Sequence, residues 1–506
     1  MMDAEAHDSD GKEEEEGRTA KRRRTEKAPS KKCPFLDTIN RQVLDFDFEK
    51  VCSMSLSKEN VYCCLVCGKF FQGRGRQTYA STHSTMSGHH MFLNLETCKV
   101  YCLPENYEVR DSSLADVVAC LKPEFPTLAA LDTSTALARD VHGVAYLPGF
   151  CGLNNLKATD YVSAIVHSLA HVKPLRDFFL EEANYRGCSD PLVLRFGELL
   201  RKVWSRSNFK SVVSPHEFVQ AVVNRSKRRF EIGTRADAVE FLAWFLNALH
   251  SSLAKMQKTI VHDVFRGEII VETESLQTTA RGDQQQWRRT EETLPFMFLT
   301  LDIPPTPLFK DSMGGDVIPQ IPLFDLLRKY DGVTVTHSVR AGVQSRKRYT
   351  LKALPPFLIF HLARFSKNNF HSEKNPTVVN FPAKNLELGD QFAFASANGR
   401  KELPFATKFD LLANVCHDLP AGIGKDAAQQ DPLALGTYRV HVKHPATDQW
   451  YEIQDLHVSE TMPQLIGLSE SLMMIYEART DDAADSHHHH RRTGAPPQGA
   501  PSRSVS

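Results

Sequence analysis

The N-terminal part of this 506-residue chain is dense in cysteine. Seven of the eleven cysteines fall within residues 33–102, and the other four are spread over the rest of the chain. The residues before this stretch are polar and contain no apolar run of the length that a secretion signal has. Clustered cysteines in a chain without such a signal favour a metal site over disulfides. The sequence therefore predicts a small N-terminal unit that folds around a metal ion.

A zinc site is the specific expectation for this unit, which we place at residues 34–135. Cys64 and Cys67 form a Cys-x-x-Cys pair, and His83 and His89 follow at intervals that a small zinc site uses. Two cysteines and two histidines complete a tetrahedron around Zn²⁺ without an open position, so the metal is expected to be structural. Five other side chains have three open interpretations: substitutes for one of these four ligands, ligands of a further zinc ion, or core residues. They are Cys52, Cys63, His90, Cys98 and Cys102.

A second, larger unit is expected at residues 143–480, where helical and strand patterns alternate. One helix follows Asp160, because apolar residues recur there at the spacing of a helix face: Tyr161, Val162, Ile165, Val166 and Leu169. Asp160 then stands at or near the start of that helix. A carboxylate at this position caps free N–H groups and suits the helix dipole.

The remaining elements make this unit an α+β domain. The alternation from Tyr438 to Lys443 predicts a half-buried strand. Two helices and five more strands are expected at Pro191–Ser205, Ala236–Leu253, Phe265–Val271, Phe296–Ile303, Phe357–Phe365, Phe409–His417 and Leu472–Glu477. A strand at Phe92–Leu95 is expected in the N-terminal unit.

The segment from Gly152 to Tyr161 resembles the nucleophile box of the ubiquitin-specific proteases, Gly-Leu-x-Asn-x-Gly-Asn-Thr-Cys-Tyr. The residues that fit this box are Gly152, Leu153, Asn155, Thr159 and Tyr161. Lys157 replaces a glycine, Ala158 replaces the asparagine that lends an oxyanion donor, and Asp160 replaces the nucleophilic cysteine. A carboxylate cannot take the place of a thiolate in peptide hydrolysis.

The second half of such an active site is recognisable downstream. Active family members have a Gly-His-Tyr there, then an aromatic-rich strand that ends in Asp or Asn followed by Asp. This chain has Gly436-Thr437-Tyr438 and later Gln454-Asp455. The resemblance thus places Thr437 at the general base and Gln454 at the residue that orients it. Loss of the nucleophile or base of such a unit costs about a millionfold in turnover. The resemblance therefore implies an inactive pseudo-enzyme, and the alternative is a cysteine-type deubiquitinase with a relocated nucleophile.

Other motifs extend the resemblance over both units. The run Cys67–Gly73 and the two histidines resemble the zinc finger of ubiquitin-specific proteases. Asp237-Ala238-x-Glu240-Phe241-Leu242 resembles a Gln-Gln-Asp-Ala-x-Glu-Phe-Leu box, with Arg235 and Ala236 in place of the glutamines. By this likeness the larger unit has the papain-like thumb, palm and fingers of that family. A second zinc ribbon is not expected in it, because its cysteines are only Cys151, Cys188 and Cys416.

Within this family the chain is similar to the tri-snRNP-associated splicing factors of the Sad-one type, on phrases such as 179–182 and 244–250. That likeness implies a nuclear, non-catalytic scaffold that supports tri-snRNP assembly or stability in pre-mRNA splicing. It also implies spliceosomal tri-snRNP proteins as partners and structural Zn²⁺ as the cofactor. Two questions stay open: whether ubiquitin or a ubiquitin-like protein is bound without cleavage, and whether RNA is contacted through basic stretches such as 225–229 and 346–348.

The two ends of the chain differ from its middle. Residues 1–33 and 481–506 are polar and poor in apolar side chains, so both are expected to be disordered. The basic cluster Lys21–Arg24 predicts a nuclear import signal. Lys plus Arg equals Asp plus Glu, at 61 each, so net charge favours neither nucleic acid nor membrane. No apolar run reaches the roughly 18 residues that span a bilayer, and no membrane partner is expected.

Overall fold

The structure of the protein is a computed structural model, and it describes residues 33–278, 285–305, 318–340, 343–367, 372–389, 392, 394, 405–420 and 431–479. The predicted disordered tails lie outside these residues, apart from Cys33, and so does the basic cluster Lys21–Arg24. Among the described residues, none of the helices combines the length and the apolar character that crossing a membrane needs.

A five-stranded antiparallel sheet with two helices forms the N-terminal module. Its elements are β1 (Val61–Cys64), β2 (Phe70–Gln72), α1 (Tyr79–Ser87), β3 (Met91–Asn94), β4 (Val100–Cys102), β5 (Tyr107–Val109) and α2 (Ala115–Leu121), with 3₁₀ turns at Leu36–Thr38, Arg41–Val43 and Ser112–Leu114. The strand order is β2-β1-β3-β4-β5. The predicted strand at Phe92–Leu95 is confirmed as β3, which begins and ends one residue earlier.

The thumb of the larger domain is a layer of helices. Its elements, together with the connection that leads to it, are α3 (Ala129–Thr133), β6 (Ala138–Arg139), β7 (Ala145–Tyr146), β8 (Gly152–Leu153), α4 (Asp160–Ala170), α5 (Lys173–Leu180), α6 (Pro191–Trp204), β9 (Val212–Val213), α7 (His216–Arg225), α8 (Ala238–Ala254) and α9 (Ile260–Phe265), with a 3₁₀ turn at Glu182–Asn184. Helix α4 is buried along its whole length, including its serines and His167, because it packs against both α8 and the palm sheet.

The rest of the chain is mostly β-sheet. Its elements are β10 (Gly267–Thr278), β11 (Gln285–Phe296), β12 (Leu299–Asp302), β13 (Gln320–Pro322), α10 (Leu323–Leu327), β14 (Thr336–Arg340), β15 (Val343–Ala353), β16 (Phe357–Ala363), β17 (Phe365–Lys367), β18 (Ser372–Lys374), β19 (Val378–Asn380), β20 (Leu386–Glu387), β21 (Lys408–Asp418), α11 (Pro432–Leu435), β22 (Thr437–Lys443), β23 (Trp450–Gln454), β24 (His457–Thr461), α12 (Pro463–Ile466) and β25 (Ser471–Ala478), with a 3₁₀ turn at Arg328–Tyr330.

Two large sheets organise these strands. The palm sheet has the order β12-β16-β25-β21-β22-β23-β24, with β20 paired to β21. The fingers are a separate four-stranded antiparallel sheet of order β11-β10-β15-β14. One apolar core joins the thumb helices to the palm, and a second lies between the palm and the base of the fingers. The α+β fold with thumb, palm and fingers is therefore confirmed.

Most of the predicted elements are present with small changes at their ends. The two predicted helices are α6 and α8, each within two residues of its expected bounds. The strand predicted at Phe265–Val271 is wrong at its start, because Phe265 is the last residue of α9 and its ring is buried in the thumb core. That strand begins instead at Gly267 and continues to Thr278.

The N-terminal module is docked on the thumb through charged contacts. Lys202 on α6 reaches Asp47 Oδ1 at 2.8 Å and the carbonyl of Phe46 at 2.7 Å. Lys210 pairs with Asp45, and the N–H of Ser214 donates to Asp47 Oδ2 at 2.8 Å. The segment before β1 of the N-terminal module is thus tied to the larger domain.

Candidate functional site

Asp160, at the position where the family resemblance predicts the nucleophile, is the first residue of α4 and is only 3% exposed. Its Oδ2 atom accepts a hydrogen bond from the backbone N–H of Tyr438 on β22 at 2.9 Å. The expected position at the helix start is confirmed. The expected capping is wrong, because the carboxylate bonds to the palm rather than to the first N–H groups of its own helix. Asp160 therefore joins the thumb to the palm.

The loop before α4 keeps a tight hydrogen-bonded shape. The N–H of Thr159 donates to Asn155 Oδ1 at 3.0 Å, and Asn155 Nδ2 donates to Asp455 Oδ2 at 3.0 Å. Lys157 and Ala158 have φ angles of 69° and 53°, in the left-handed region that glycine adopts most easily. The backbone of the box is thus present, although neither residue suits its conformation.

Thr437 and Gln454 face each other on neighbouring strands. Gln454 Nε2 on β23 donates to Thr437 Oγ1 on β22 at 3.2 Å. The pair has the relationship expected of a base and the residue that orients it, but neither side chain exchanges a proton near neutral pH. The structure therefore brings Thr437 and Gln454 together in a contact of two neutral groups.

Arg235 bridges the two halves of this centre, and its role was not predicted from the sequence. Its Nη1 atom contacts the carbonyl of Gly436 and lies 3.8 Å from Asp160 Oδ2. The signal in the sequence was a cation where the family box has glutamine. The guanidinium and the carboxylate thus lie across the thumb–palm junction, and we call Asp160, Arg235 and the Gly436–Tyr438 backbone the clamp.

We expect Asp160→Ala to lower the free energy of unfolding by about 2 kcal/mol, because it leaves a buried N–H without an acceptor and removes the charge beside Arg235. Urea denaturation of the full chain measures this loss. Asp160→Asn keeps an acceptor oxygen and is expected to cost less. Equal stability of the alanine variant and the wild type would contradict the clamp.

None of the three cysteines of the larger domain is a surface thiol. Cys151 donates to the carbonyl of Val203 at 3.6 Å, and burial raises the pKa of its thiol to about 12. Cys188 is buried in the thumb core. His417 lies beside Tyr438, and its burial, with the charges of Lys374 and Arg235, lowers its pKa to about 3.

Cys416 has the partners of a catalytic thiol but lacks access. Its Sγ atom lies 3.7 Å from His441 Nδ1, and His441 Nε2 lies 3.1 Å from Glu452 Oε2. Burial lowers the pKa of His441, but Cys416 and Glu452 outweigh burial and raise it to about 9. Cys416 is 0% exposed within the palm sheet. A substrate peptide therefore could not reach a thiolate at this position in the folded protein.

The four predicted zinc ligands converge in the N-terminal module, where their donor atoms all lie within 4.8 Å of one another. Cys64 Sγ lies 3.5 Å from His89 Nδ1, and Cys67 Sγ lies 3.5 Å from His83 Nε2. Bonds of about 2.0–2.3 Å to tetrahedral zinc put neighbouring ligand atoms roughly 3.3–3.8 Å apart. The donor set and its spacing therefore fit Zn²⁺.

The surroundings of this cluster support its shape. Cys64 ends β1 and Cys67 lies in the turn before β2, where Gly68 has a φ of 74°. A Cβ atom on Gly68 would come within 2.4 Å of the carbonyl of Val43, so this turn requires glycine. His83 on α1 stacks on Phe71 at 4.2 Å, and its Nδ1 atom lies 3.3 Å from Ser87 Oγ. Such an outer contact orients a ligating imidazole.

No second group of three potential metal ligands occurs among the described residues. His90, one of the substitutes, stacks on Phe35 at 3.9 Å, and its Nδ1 atom bonds to the carbonyl of Leu103 at 2.7 Å. Cys52 accepts from the N–H of Ser55 at 3.4 Å, and Cys63 and Cys102 are buried in the module core. Cys98 is half-buried beside the same core.

Comparisons with known proteins agree with this architecture. The model of the ubiquitin carboxyl-terminal hydrolase family matches residues 151–479. A model described as a Zn-finger in ubiquitin-hydrolases and other protein matches residues 52–114. The four predicted zinc ligands lie within the Zn-finger match, and the clamp lies within the hydrolase match.

Individual relatives cover most of the chain. Ubiquitin carboxyl-terminal hydrolase 39 of Mus musculus is 48% identical over 475 residues, which is 90% of this chain and 81% of that protein. The probable mRNA-splicing protein ubp10 of Schizosaccharomyces pombe is 40% identical and covers 88% of each chain. A crystal structure of an essential yeast splicing factor superposes with a TM-score of 0.69 and 28% identity, over 88% of this chain and 99% of that chain. This chain therefore belongs to the ubiquitin carboxyl-terminal hydrolase family, where it groups with relatives that are named as splicing proteins.

Proposed function

We propose that this protein is a nuclear, non-catalytic scaffold that supports assembly or stability of the tri-snRNP in pre-mRNA splicing. The observation that carries the proposal is the clamp, in which Asp160 bonds to the palm where an enzyme of this family has its nucleophile. Relatives that are named as splicing proteins support the process. The partners we propose are spliceosomal tri-snRNP proteins. We also propose residues 34–135 and 143–480 as the bounds of the two folded domains.

The chemistry of the centre supports the absence of peptidase activity. A carboxylate at residue 160 supplies no thiolate, and Thr437 takes no proton from a nucleophile at neutral pH. Ala158 supplies no side-chain donor for an oxyanion, a loss that alone costs roughly 10²–10³ in turnover. Arg235 lies across the junction that a substrate peptide would enter. The site is therefore better suited to hold thumb and palm together than to cut a bond.

We also propose that Cys64, Cys67, His83 and His89 bind one structural Zn²⁺. The Zn-finger family match and the convergence of the four donor atoms support this assignment. The metal is expected to supply folding free energy to a module whose sheet has only short strands. No catalytic role is proposed for it, since two cysteines and two histidines leave no open position.

The splicing role is tested by depletion and add-back in nuclear extract. Removal of the protein is expected to reduce tri-snRNP level and splicing of a reporter transcript, and the wild-type chain is expected to restore both. A variant that carries Cys151→Ala, Cys188→Ala and Cys416→Ala is expected to restore them equally if it folds, because no thiol of the larger domain is used. Unchanged splicing after complete depletion would contradict the scaffold role.

One observation favours a second candidate, a deubiquitinase with a relocated nucleophile: the Cys416–His441–Glu452 contacts. A ubiquitin C-terminal fluorogenic substrate separates the two candidates. We expect recombinant wild-type protein to show no turnover above buffer, because Cys416 is enclosed in the palm. Turnover that thiol alkylation or Cys416→Ala abolishes would establish the deubiquitinase instead.

The reciprocal experiment rebuilds the catalytic centre. It combines Ala158→Asn, Asp160→Cys, Thr437→His and Gln454→Asp with Arg235→Gln, which removes the guanidinium from the junction. A matched control omits only Arg235→Gln. If the clamp excludes the substrate, any turnover gained is expected to depend on the fifth substitution.

A further inference from the structure

We propose that a groove between α7 and α8 of the thumb binds single-stranded RNA. The groove, called the basic groove below, has a volume of about 470 Å³. Its lining comes from the end of α7, the turn after it and one side of α8: Arg225, Arg229, Glu240, Ala243, Trp244, Asn247, Ala248 and Ser251. None of these residues belongs to the clamp or to the zinc cluster. The site goes beyond the scaffold role proposed above, and a binding measurement on purified protein does not depend on that role.

The turn after α7 holds two cations in an unfavourable backbone conformation. Lys227 and Arg228 have φ angles of 54° and 64°, in the left-handed region that side chains rarely adopt. The turn closes the helix, since the N–H of Arg228 donates to the carbonyl of Val223 at 2.9 Å. Glycine serves this kind of helix end best. Two cations thus occupy positions that favour glycine, which points to a use for their charge.

These cations are available to a ligand. Arg225 Nε lies 3.0 Å from Asp190 Oδ2, and Arg229 contacts Glu240, yet both arginine side chains remain 43% and 51% exposed. Lys227 and Arg228 are exposed and have no ion-pair partner among the described residues. The two acidic groups therefore orient two arginines, and the turn adds two free positive charges beside them.

An aromatic ring and an amide of α8, Trp244 and Asn247, line the same groove as Arg225 and Arg229. The indole of Trp244 is half-buried and contacts Phe230 at a centroid distance of 5.2 Å, so the ring is held in place. Glu240 lies one helical turn before Trp244, and it therefore holds Arg229 on the same side of α8. Asn247 is exposed, and its Nδ2 atom donates to the carbonyl of Ala243 at 2.8 Å, which leaves its oxygen free to accept.

This combination favours RNA over an acidic peptide. Proteins that bind single strands join a positively charged groove, which follows the phosphates, with aromatic side chains on which bases stack. An acidic peptide requires the cations but gains little from a fixed indole and a hydrogen-bonding amide. The proposed ligand contacts place phosphates at Lys227 and Arg228 and one base against Trp244.

The test is fluorescence anisotropy of the full chain with fluorescein-labelled U12 and A12 RNA at 0.1 M salt. We expect Lys227→Gly with Arg228→Gly to weaken binding at least tenfold. The slope of log Kd against log salt is expected to fall by about 1.4, because each contacted phosphate of a single strand contributes about 0.7. Trp244→Leu is expected to weaken binding about tenfold through lost stacking.

Two controls separate binding from folding. The glycine pair suits the turn, so its thermal unfolding temperature is expected to equal or exceed that of the wild type. Lys58→Gln with Lys99→Gln removes two exposed positive charges from the N-terminal module instead, and it is expected to change Kd less than about twofold because salt screens distant charges. RNA is also expected to quench tryptophan fluorescence in a Trp287→Phe background, where Trp244 is the one partly exposed tryptophan among the described residues.

Three results would overturn the proposal. The first is no RNA binding by the wild-type chain at 0.1 M salt. The second is binding that the glycine pair and Trp244→Leu leave unchanged, which would move the RNA site elsewhere. The third is tighter binding of a labelled oligoglutamate peptide than of either RNA, which would make the basic groove a site for an acidic protein segment.

Discussion

Cys67→Ser is expected to unfold the N-terminal module of the purified full chain while the larger domain stays folded. Structural zinc supplies about 10–16 kcal/mol of apparent folding free energy in zinc-finger peptides. The free energy of unfolding of a small module without its metal is not large enough to replace this contribution. The larger domain has two apolar cores of its own, one between the thumb and the palm and one between the palm and the base of the fingers. Two measurements check this result: the zinc content of the protein, and limited proteolysis, which is expected to remove residues before about position 135 and spare the rest.

The matched control for this experiment is Cys98→Ser, since Cys98 lies in the same module outside the four-ligand cluster. We expect it to retain one zinc ion per chain and normal resistance to protease. A chelator applied to the wild type is expected to reproduce the effect of Cys67→Ser. If the Cys67→Ser protein kept its zinc and its protease resistance, the ligand assignment would be wrong.

Arg364→Met is expected to lower the free energy of unfolding by about 3 kcal/mol or more. Arg364 is 1% exposed and lies between β16 and β17, where it donates to three backbone carbonyls. Its Nη1 atom reaches the carbonyls of Asn375 and Thr377 at 2.9 and 2.7 Å, and its Nε contacts the carbonyl of Ser471. Methionine fills similar space but leaves these buried acceptors unpaired, at roughly 1–3 kcal/mol each.

Urea denaturation measures this loss, with Arg328→Met as the control. The Arg328 side chain is largely exposed and pairs with Asp325 three residues earlier in the chain. A surface pair of this kind contributes little, so the control is expected to change stability by less than about 0.5 kcal/mol. Comparable losses in the two variants would show that the carbonyl contacts of Arg364 are not important for stability.

The fold and the residues of the candidate centre were predictable because their signals are local. The helix after Asp160, the Cys-x-x-Cys pair and the alternation from Tyr438 to Lys443 each follow from spacing along the chain. The positions of Thr437 and Gln454 followed from the family pattern, and the structure places them in contact. Where one residue belongs to two patterns, as Phe265 does, the local pattern does not distinguish helix from strand.

The missing parts depend on contacts between distant segments. No local pattern shows that the Asp160 carboxylate faces the N–H of Tyr438, a residue 278 positions later. The roles of Arg235 and Arg364 have the same origin, since each side chain meets backbone carbonyls from other elements. The available signal was a cation in place of the family's glutamine for Arg235, and a charge in a largely apolar run for Arg364, but neither signal names a partner.

The clamp has a consequence for how other molecules meet this protein. An enzyme of this architecture admits a peptide tail between the thumb and the palm. Here a guanidinium and a carboxylate lie across those layers at the point of entry, so we expect the outline of the body to stay constant. A protein of constant shape presents the same surfaces to its binding partners each time they associate.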